Sequence, residues 1–339
     1  MALKPGDQLR NYTIIKELGR GRFGITYLAK DQDNQSCVIK TISDNLIEQL
    51  STDPKELQRL QEAIMQEAIT LAKCQHPNIV KVGKDGIFIE NDRFYLVEEF
   101  IAGENLENLP HKTLSESEAL NYIRQIGDAL ICVHKNNLIH RDVKPANIMI
   151  RAGKSEAVLI DFGLAKGFDN PFTTVKSNDA DNFSALELYY ANFEKGPYTD
   201  VYSLSATLYF LLTGITPPSA VERGSNIEGK IFDVRPPKEI NSTISQITND
   251  AIIEGLALSP QSRPANIDQW LALLPKEQTE AEVAPEAILS KPIDWQKWGV
   301  IVTLLGVIVA AVPVILDLVK RDVPPTPATS PSVMEQKQK

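Results

Sequence analysis

Between residues 11 and 100 the apolar positions follow the two-residue period of strands, interrupted once by a helical stretch. Asn11-Tyr12-Thr13-Ile14-Ile15-Lys16 and Ile25-Thr26-Tyr27-Leu28-Ala29 alternate or cluster β-formers around a run of glycines. Asp31-Gln32-Asp33-Asn34-Gln35-Ser36 is turn chemistry, and Cys37-Val38-Ile39-Lys40 is the next strand. Pro54 to Lys73 carries helical periodicity through Leu57, Leu60, Ile64, Glu67 and Leu71. A strand from Arg93 to Phe100 then leads into Ile101-Ala102-Gly103, a hinge candidate.

From Ser115 the pattern becomes helical. Ser115 and Glu118 have the spacing of a capping box, and Leu120, Ile123, Ile126 or Gly127, and Leu130 make one apolar face. Further helices are predicted over 199–212, 245–258 and 266–273. Residues 276–298 read as a linker, because Thr279 to Pro292 mixes Glu, Ala and Pro without a core pattern. Gly299 to Leu316 is an uncharged run of eighteen residues rich in Val, Ile and Leu. As a helix it would be about 27 Å long, close to the hydrocarbon thickness of a bilayer. Trp295 and Trp298 precede it at interfacial depth, and Lys297, Lys320 and Arg321 flank it. A membrane-spanning helix is therefore expected over 299–318, followed by a disordered tail over 319–339.

Composition narrows the class of partner. The chain of 339 residues is 43% hydrophobic and 23% charged, which is globular. Its net charge is −9 and no stretch is strongly basic, so no nucleic-acid partner is expected. Cys37, Cys74 and Cys132 lie far apart inside apolar runs and read as small buried hydrophobes. Met1 to Gly6 has no apolar run of the kind a secretory signal needs.

Gly19-Arg20-Gly21-Arg22-Phe23-Gly24 has G-x-G-x-x-G spacing. In a dinucleotide-binding fold the third glycine opens a helix. Here Ile25-Thr26-Tyr27-Leu28, a strand, follows. That context excludes a nicotinamide site and matches a loop over ATP phosphates, where backbone amides must approach closely. No Gly-x-x-x-x-Gly-Lys-Ser/Thr string occurs, which excludes a P-loop ATPase. Two strings downstream carry chemistry. The first is His140-Arg141-Asp142-Val143-Lys144-Pro145-Ala146-Asn147. The second, after Ala157-Val158-Leu159-Ile160, is Asp161-Phe162-Gly163. Together they supply what phosphoryl transfer from ATP needs: a carboxylate for the incoming hydroxyl, a cation for the phosphate, and two oxygen ligands for magnesium.

On these strings the chain resembles the eukaryotic-type serine/threonine protein kinases of bacteria, over residues 11–275. The resemblance implies an α+β bilobal protein-kinase fold, with a small β-rich N-lobe over 1–100 and a larger helical C-lobe over 101–275. It implies ATP and magnesium as cofactors and protein substrates as partners. Gly19, Arg20, Gly21, Arg22, Phe23 and Gly24 would cover the phosphates, with Thr26 and Val38 at the adenine. Lys40 would hold the α- and β-phosphates with Glu67 as its partner, and the hinge backbone at Glu99 and Ile101 would hydrogen-bond the base. Asp142 is implied as the catalytic aspartate, Lys144 as the γ-phosphate contact, and Asn147 and Asp161 as the magnesium ligands. His140 and Phe162 are expected to pack in the lobe core. Asp200 would brace the catalytic loop, and Arg263 would pair with Glu187.

The chain also departs from that family. Ala180 stands where a threonine usually bonds the catalytic aspartate and lysine, with Asp179 and Asp181 beside it. Leu186 replaces a proline before Glu187, and Glu98 falls where an apolar or amide residue usually backs the ATP pocket. A carboxylate there must be hydrated or paired, and it could compete with Glu67 for Lys40. Two readings stay open: a kinase that takes basic or unusual substrates, or a catalytically weak pseudokinase acting as an ATP-binding scaffold. A small-molecule kinase fits less well, given the Asp142-Val143-Lys144 spacing and a recognisable activation segment. Arg141, next to the catalytic aspartate, implies a phosphorylated activation loop, with Thr173, Thr174 and Ser177 as candidate acceptors. The kinase domain of this single-pass protein is expected to face the cytoplasm, where ATP and magnesium are found.

Overall fold

The structure is a computed structural model. It describes residues 3–21, 24–50, 54–111, 113–162, 181–190, 192–224 and 233–276. Arg22, Phe23, Thr173, Thr174, Ser177, Ala180 and everything from 277 onward, the predicted span included, lie outside the described residues. Among the described residues no helix is long and apolar enough to cross a membrane.

The first hundred residues form an antiparallel sheet of six strands in the order β1-β2-β3-β4-β6-β5. These are β1 (Gln8–Leu9), β2 (Tyr12–Arg20), β3 (Gly24–Lys30), β4 (Ser36–Ile42), β5 (Val82–Glu90) and β6 (Arg93–Glu99). The alternation read in β3 is the alternation of its faces: Ile25, Tyr27 and Ala29 are fully buried, while Thr26 and Leu28 are half-buried on the other side. Pairing with β4 sets Thr26 opposite Lys40 and Leu28 opposite Val38, so these four side chains share a face. The opposite face carries Cys37 and Ile39 into a core with Ile14, Phe88, Tyr95 and Val97.

Helix α1 (Asp44–Leu50) and helix α2 (Pro54–Ala72) follow β4. Leu60, Ile64, Ala68 and Leu71 recur at helical spacing on the buried side of α2. Leu60, Ile64 and Ala68 pack on Ile42, Phe94 and Leu96 of the sheet. Ile42 and Leu96 are on the Lys40 face, so α2 covers that face.

The second half is helical around one large core. α3 (Glu116–Lys135) starts at Ser115, whose hydroxyl accepts the Glu118 N–H at 3.3 Å. A three-stranded sheet, β7 (Gly103–Asn105), β8 (Ile148–Arg151) and β9 (Ala157–Leu159), lies beside it. Helix α4 (Pro197–Thr213) is buried almost all round. Its Ser203, Ser205, Thr207 and Thr213 hydroxyls donate to carbonyls four residues earlier, which lets polar side chains sit in the interior. The short helices α5 (Ala220–Gly224) and α6 (Pro237–Ile240) precede α7 (Gln246–Gly255) and α8 (Ile267–Leu271). The last two are shorter than their predicted ranges: α7 stops at Gly255 and α8 at Leu271. Trp270 of α8 is fully buried and donates its indole N–H to the Ala251 carbonyl at 2.9 Å. Cys37 and Cys74 are buried free thiols, but Cys132 is only half-buried, at the margin of this core.

Candidate active site

The site is assembled from Asp200 outward. This aspartate lies in the first turn of α4 with no solvent exposure. Its Oδ2 accepts the His140 N–H at 2.8 Å, and its Oδ1 accepts the Arg141 N–H at 2.9 Å. The His134 ring lies at 2.8 Å, reaching in from the last turn of α3. Burial alone would raise the Asp200 carboxyl, but the hydrogen bonds from His134 and the backbone outweigh it and hold its pKa below the usual aspartate range. The brace pins the loop where Arg141 takes a left-handed backbone, φ +66°. His140 packs against Phe162 with ring centroids 4.4 Å apart, and burial lowers its imidazole to about 4, so the ring is neutral.

Downstream of the brace, three polar side chains converge. Lys144 Nζ lies 3.0 Å from Asp142 Oδ1. The Asn147 amide nitrogen donates to Asp142 Oδ2 at 2.9 Å and to the Asp142 carbonyl at 2.8 Å. Burial works against the Lys144 ammonium, but the Asp142 and Asp181 carboxylates prevail and raise its pKa. The Ile160 N–H donates to the Asn147 carbonyl at 2.9 Å, which fixes Asp161 beside this cluster. Asp161 also has a left-handed backbone, φ +58°, and its Oδ1 stands 3.2 Å from Lys40 Nζ.

Lys40 differs from the expectation. Its ion partner is Glu98 Oε2 at 2.8 Å, together with Asp161. Glu67, the expected partner, lies with Oε1 3.6 Å from Arg141 Nη1 instead. The reason is register: β4 and β6 are neighbouring strands, and Val38 faces Glu98 while Lys40 faces Leu96, which makes Glu98 a diagonal neighbour of Lys40 on one face. Burial disfavours the Lys40 ammonium, yet the two carboxylates hold its pKa above the usual lysine value. Burial raises the Glu67 carboxyl to about 7, with Arg141 pulling it back only in part.

Residues 12–273 match the protein kinase domain. The chain belongs to the protein kinase family. It is 28% identical over 284 residues to a probable serine/threonine-protein kinase of Clostridium perfringens, covering 80% of this chain and 39% of that protein. It is 30% identical over 253 residues to serine/threonine-protein kinase C of Synechocystis sp., covering 71% of this chain and 46% of that one. In fold it is similar to the kinase domain of Mycobacterium tuberculosis PknI, with TM-score 0.60 and 21% identity over 80% of this chain and 97% of that chain. It is also similar to Rad53 solved with AMP-PNP, with TM-score 0.59 and 22% identity over 77% and 64%. The chain spans 39%, 29% and 53% of the length of the first three curated relatives it matches.

The remaining parts of the kinase domain surround this centre. The glycine hairpin closes through Gly21 N–H to the Gly24 carbonyl at 2.8 Å, and an added Cβ at Gly19 would meet nothing within 4 Å. Arg20 is paired with Glu17 at 2.7 Å. Thr26 and Val38 lie on the Lys40 face of the sheet. At the hinge, the Glu99 carboxylate accepts from the Lys81 N–H at 3.0 Å and from Arg151 at 3.2 Å, while the Glu99 N–H goes to the Lys81 carbonyl. Ile101 is buried against Val80 and Val158, and among the described residues its main chain makes no hydrogen bond.

Two contributors were not legible beforehand. His134 carries no local sign that it reaches Asp200, sixty-six residues on; its only hint is a basic ring in the last turn of α3. Tyr189 holds the end of the activation segment, accepting the Asp181 N–H at 3.0 Å through its hydroxyl.

Proposed function

We propose that this kinase domain transfers the γ-phosphoryl group of ATP to a serine or threonine hydroxyl of a protein substrate. The observation that carries the reading is the single hydrogen-bonded cluster of Asp142, Lys144 and Asn147 on a loop braced by Asp200. Asp142 accepts or orients the proton of the incoming hydroxyl. Lys144 offsets charge on the phosphoryl group as it moves, and Lys40 holds the phosphates that stay behind. The N–H and C=O of Ile101, unpaired among the described residues, suit a planar base with a donor beside an acceptor. Since the Asn147 nitrogen is spent on Asp142, its amide oxygen is the atom left for a cation. With the Asp161 carboxylate it makes a pair of hard donors that fit magnesium. Bound there, magnesium would neutralise phosphate charge.

The test is incubation of the full chain with labelled ATP and magnesium, beside Asp142→Asn. Label in the wild type and none in the variant is expected. Label in both, or in neither, sinks the reading. A scaffold that binds ATP without transfer is the second reading, and Ala180 and Glu98 favour it. Nucleotide binding with no label under any condition would select it.

Two finer features belong to the same proposal. The uncharged run 299–316 anchors the chain in a membrane with the kinase domain on the cytoplasmic side. Recovery of the full chain in the soluble fraction after cell lysis would remove that anchor. Thr173 or Thr174 is the autophosphorylation site answering to Arg141, with Ser177 a further candidate acceptor. Mass spectrometry that finds all three unmodified in active protein would discard them.

A further inference from the structure

We propose that Glu98, on the central sheet, is the residue that positions Lys40 for nucleotide, in place of Glu67 on helix α2. The inference deepens the reading above and rests on it for the identity of the ligand. Glu98 is 2% exposed, and its Oε2 stands 2.8 Å from Lys40 Nζ. Its other oxygen, Oε1, is buried with no hydrogen-bond partner among the described residues. Lys40 is thus the only cation paired with this carboxylate among the described residues. Removing that partner would leave a bare charge in the interior, which is costly.

The geometry gives the pair a fixed basis. Lys40 and Glu98 sit on adjacent strands of one sheet, and the register Val38↔Glu98 and Lys40↔Leu96 places them diagonally on one face. Hydrogen bonds of the ladder set that spacing. Glu67, by contrast, sits on α2, and its ion partner is Arg141 of the catalytic loop at 3.6 Å. A lysine aimed by a helix residue loses its direction when the helix moves. A lysine aimed from within its own sheet keeps it. In this chain the aim of Lys40 is therefore independent of where α2 lies, and Glu67 is released to tie α2 to the catalytic loop. Glu98 touches neither phosphate nor hydroxyl in this scheme; it acts through Lys40 and is a positioning residue.

The experiment compares E98Q and E67Q in the full chain. Affinity for ATP with magnesium is read by calorimetry, KM and kcat by labelled transfer, and folding by thermal midpoint. Glutamine keeps the shape of the side chain and removes its charge. A charge-assisted contact of this kind is expected to change ATP affinity by about tenfold or more when lost. E98Q should weaken ATP binding by that factor and raise KM for ATP more than it lowers kcat, whereas E67Q should weaken binding less than E98Q does. A merely structural Glu98 would shift the midpoint and leave ATP affinity at its wild-type value, which overturns the proposal. So would an E67Q loss larger than that of E98Q. If E98Q does not fold, E67Q decides alone: a loss of about tenfold or more in ATP affinity overturns the inference, and a smaller one supports it. Binding that depends on Glu98 in a protein that transfers no label supports the inference while removing the transfer reading. Label in the wild type, with E98Q binding ATP normally, does the opposite.

Discussion

Arg263 grips Glu187 through two parallel hydrogen bonds, Nη1 to Oε1 at 2.8 Å and Nη2 to Oε2 at 3.0 Å, where neither side chain reaches solvent. Thr199 adds its hydroxyl to the same Oε1 at 2.9 Å, and the other Arg263 donors go to the carbonyls of Ala257, Leu258 and Tyr198. Every strand of this knot ties the end of the activation segment to the helical lobe. R263A would leave the Glu187 carboxylate buried with only a hydroxyl for company. The expected cost is about 3–5 kcal/mol, measured by urea unfolding. R263K keeps the charge but cannot form the planar fork, so it should recover only part of that loss. A wild-type urea midpoint in R263A would refute the assignment.

Asp200 makes a different kind of brace, because its partners are two main-chain N–H groups and a histidine. In D200N one of the two carboxylate oxygens becomes an amide that points a donor at a donor. A buried N–H left without an acceptor costs about 1–3 kcal/mol. The loop carrying Asp142 should loosen, so kcat should fall by about tenfold or more while KM for ATP changes less. Steady-state kinetics of D200N checks this, and an unchanged kcat would show that the loop holds its shape without the brace.

The contrast between these contacts and the sequence that encodes them has a physical cause. Asp142, Lys144 and Asn147 lie within six residues, so a single tight loop brings them together, and they were legible through the family resemblance of the string that carries them. The long helices α2 and α3 repeat their apolar positions over five turns, enough to reveal a period and its ends. Helices α5 and α6, of five and four residues, are too short to carry one. The partner of Lys40 was not legible, because two carboxylates compete and the choice depends on strand register and on the placement of α2. Both are set by contacts far apart in the chain. The same holds for His134, whose reach to Asp200 exists only once α3 and α4 have packed.

Gly255 marks the closest approach among three helices. A Cβ added there would lie 1.9 Å from Ser205 Oγ of α4 and 2.7 Å from Trp270 Nε1 of α8. Both neighbours are buried and already bonded, Ser205 to the Val201 carbonyl and Trp270 to that of Ala251. Neither can swing away without breaking its hydrogen bond. G255A should therefore cost about 1–3 kcal/mol from overpacking, even though alanine favours helix. G83A is the contrast, since its added methyl would sit 3.5 Å from the Val97 carbonyl, an ordinary contact. It should change stability by less than about 1 kcal/mol. Equal urea midpoints for the two variants would contradict the packing argument.

Glu67 and His140 give the domain two opposed pH dependences. Glu67 has its carboxyl raised by burial from 4.5 to about 7. The folded protein therefore holds this proton more tightly than the unfolded chain does. Its contribution to stability is complete below pH 4.5 and is lost as pH rises through 7. His140 has its imidazole lowered by burial from 6.5 to about 4. Here the unfolded chain binds the proton more tightly, so the contribution is complete above pH 6.5 and is lost as pH falls through 4. Between pH 4.5 and 6.5 the two slopes oppose each other, and above 6.5 only the Glu67 loss remains. E67Q removes that loss, because the amide has no proton to release. Its thermal midpoint should exceed that of the wild type at pH 8, by a stability on the order of 1–3 kcal/mol, and the advantage should vanish near pH 5. Below pH 6.5 the variant should then show the bare histidine slope, falling more steeply with acid than the wild type. A thermal-shift series from pH 4.5 to 8.5 on both proteins reads all three features. Parallel curves for the two would mean that Glu67 is already ionised without penalty, and that its contact with Arg141 compensates fully for its burial.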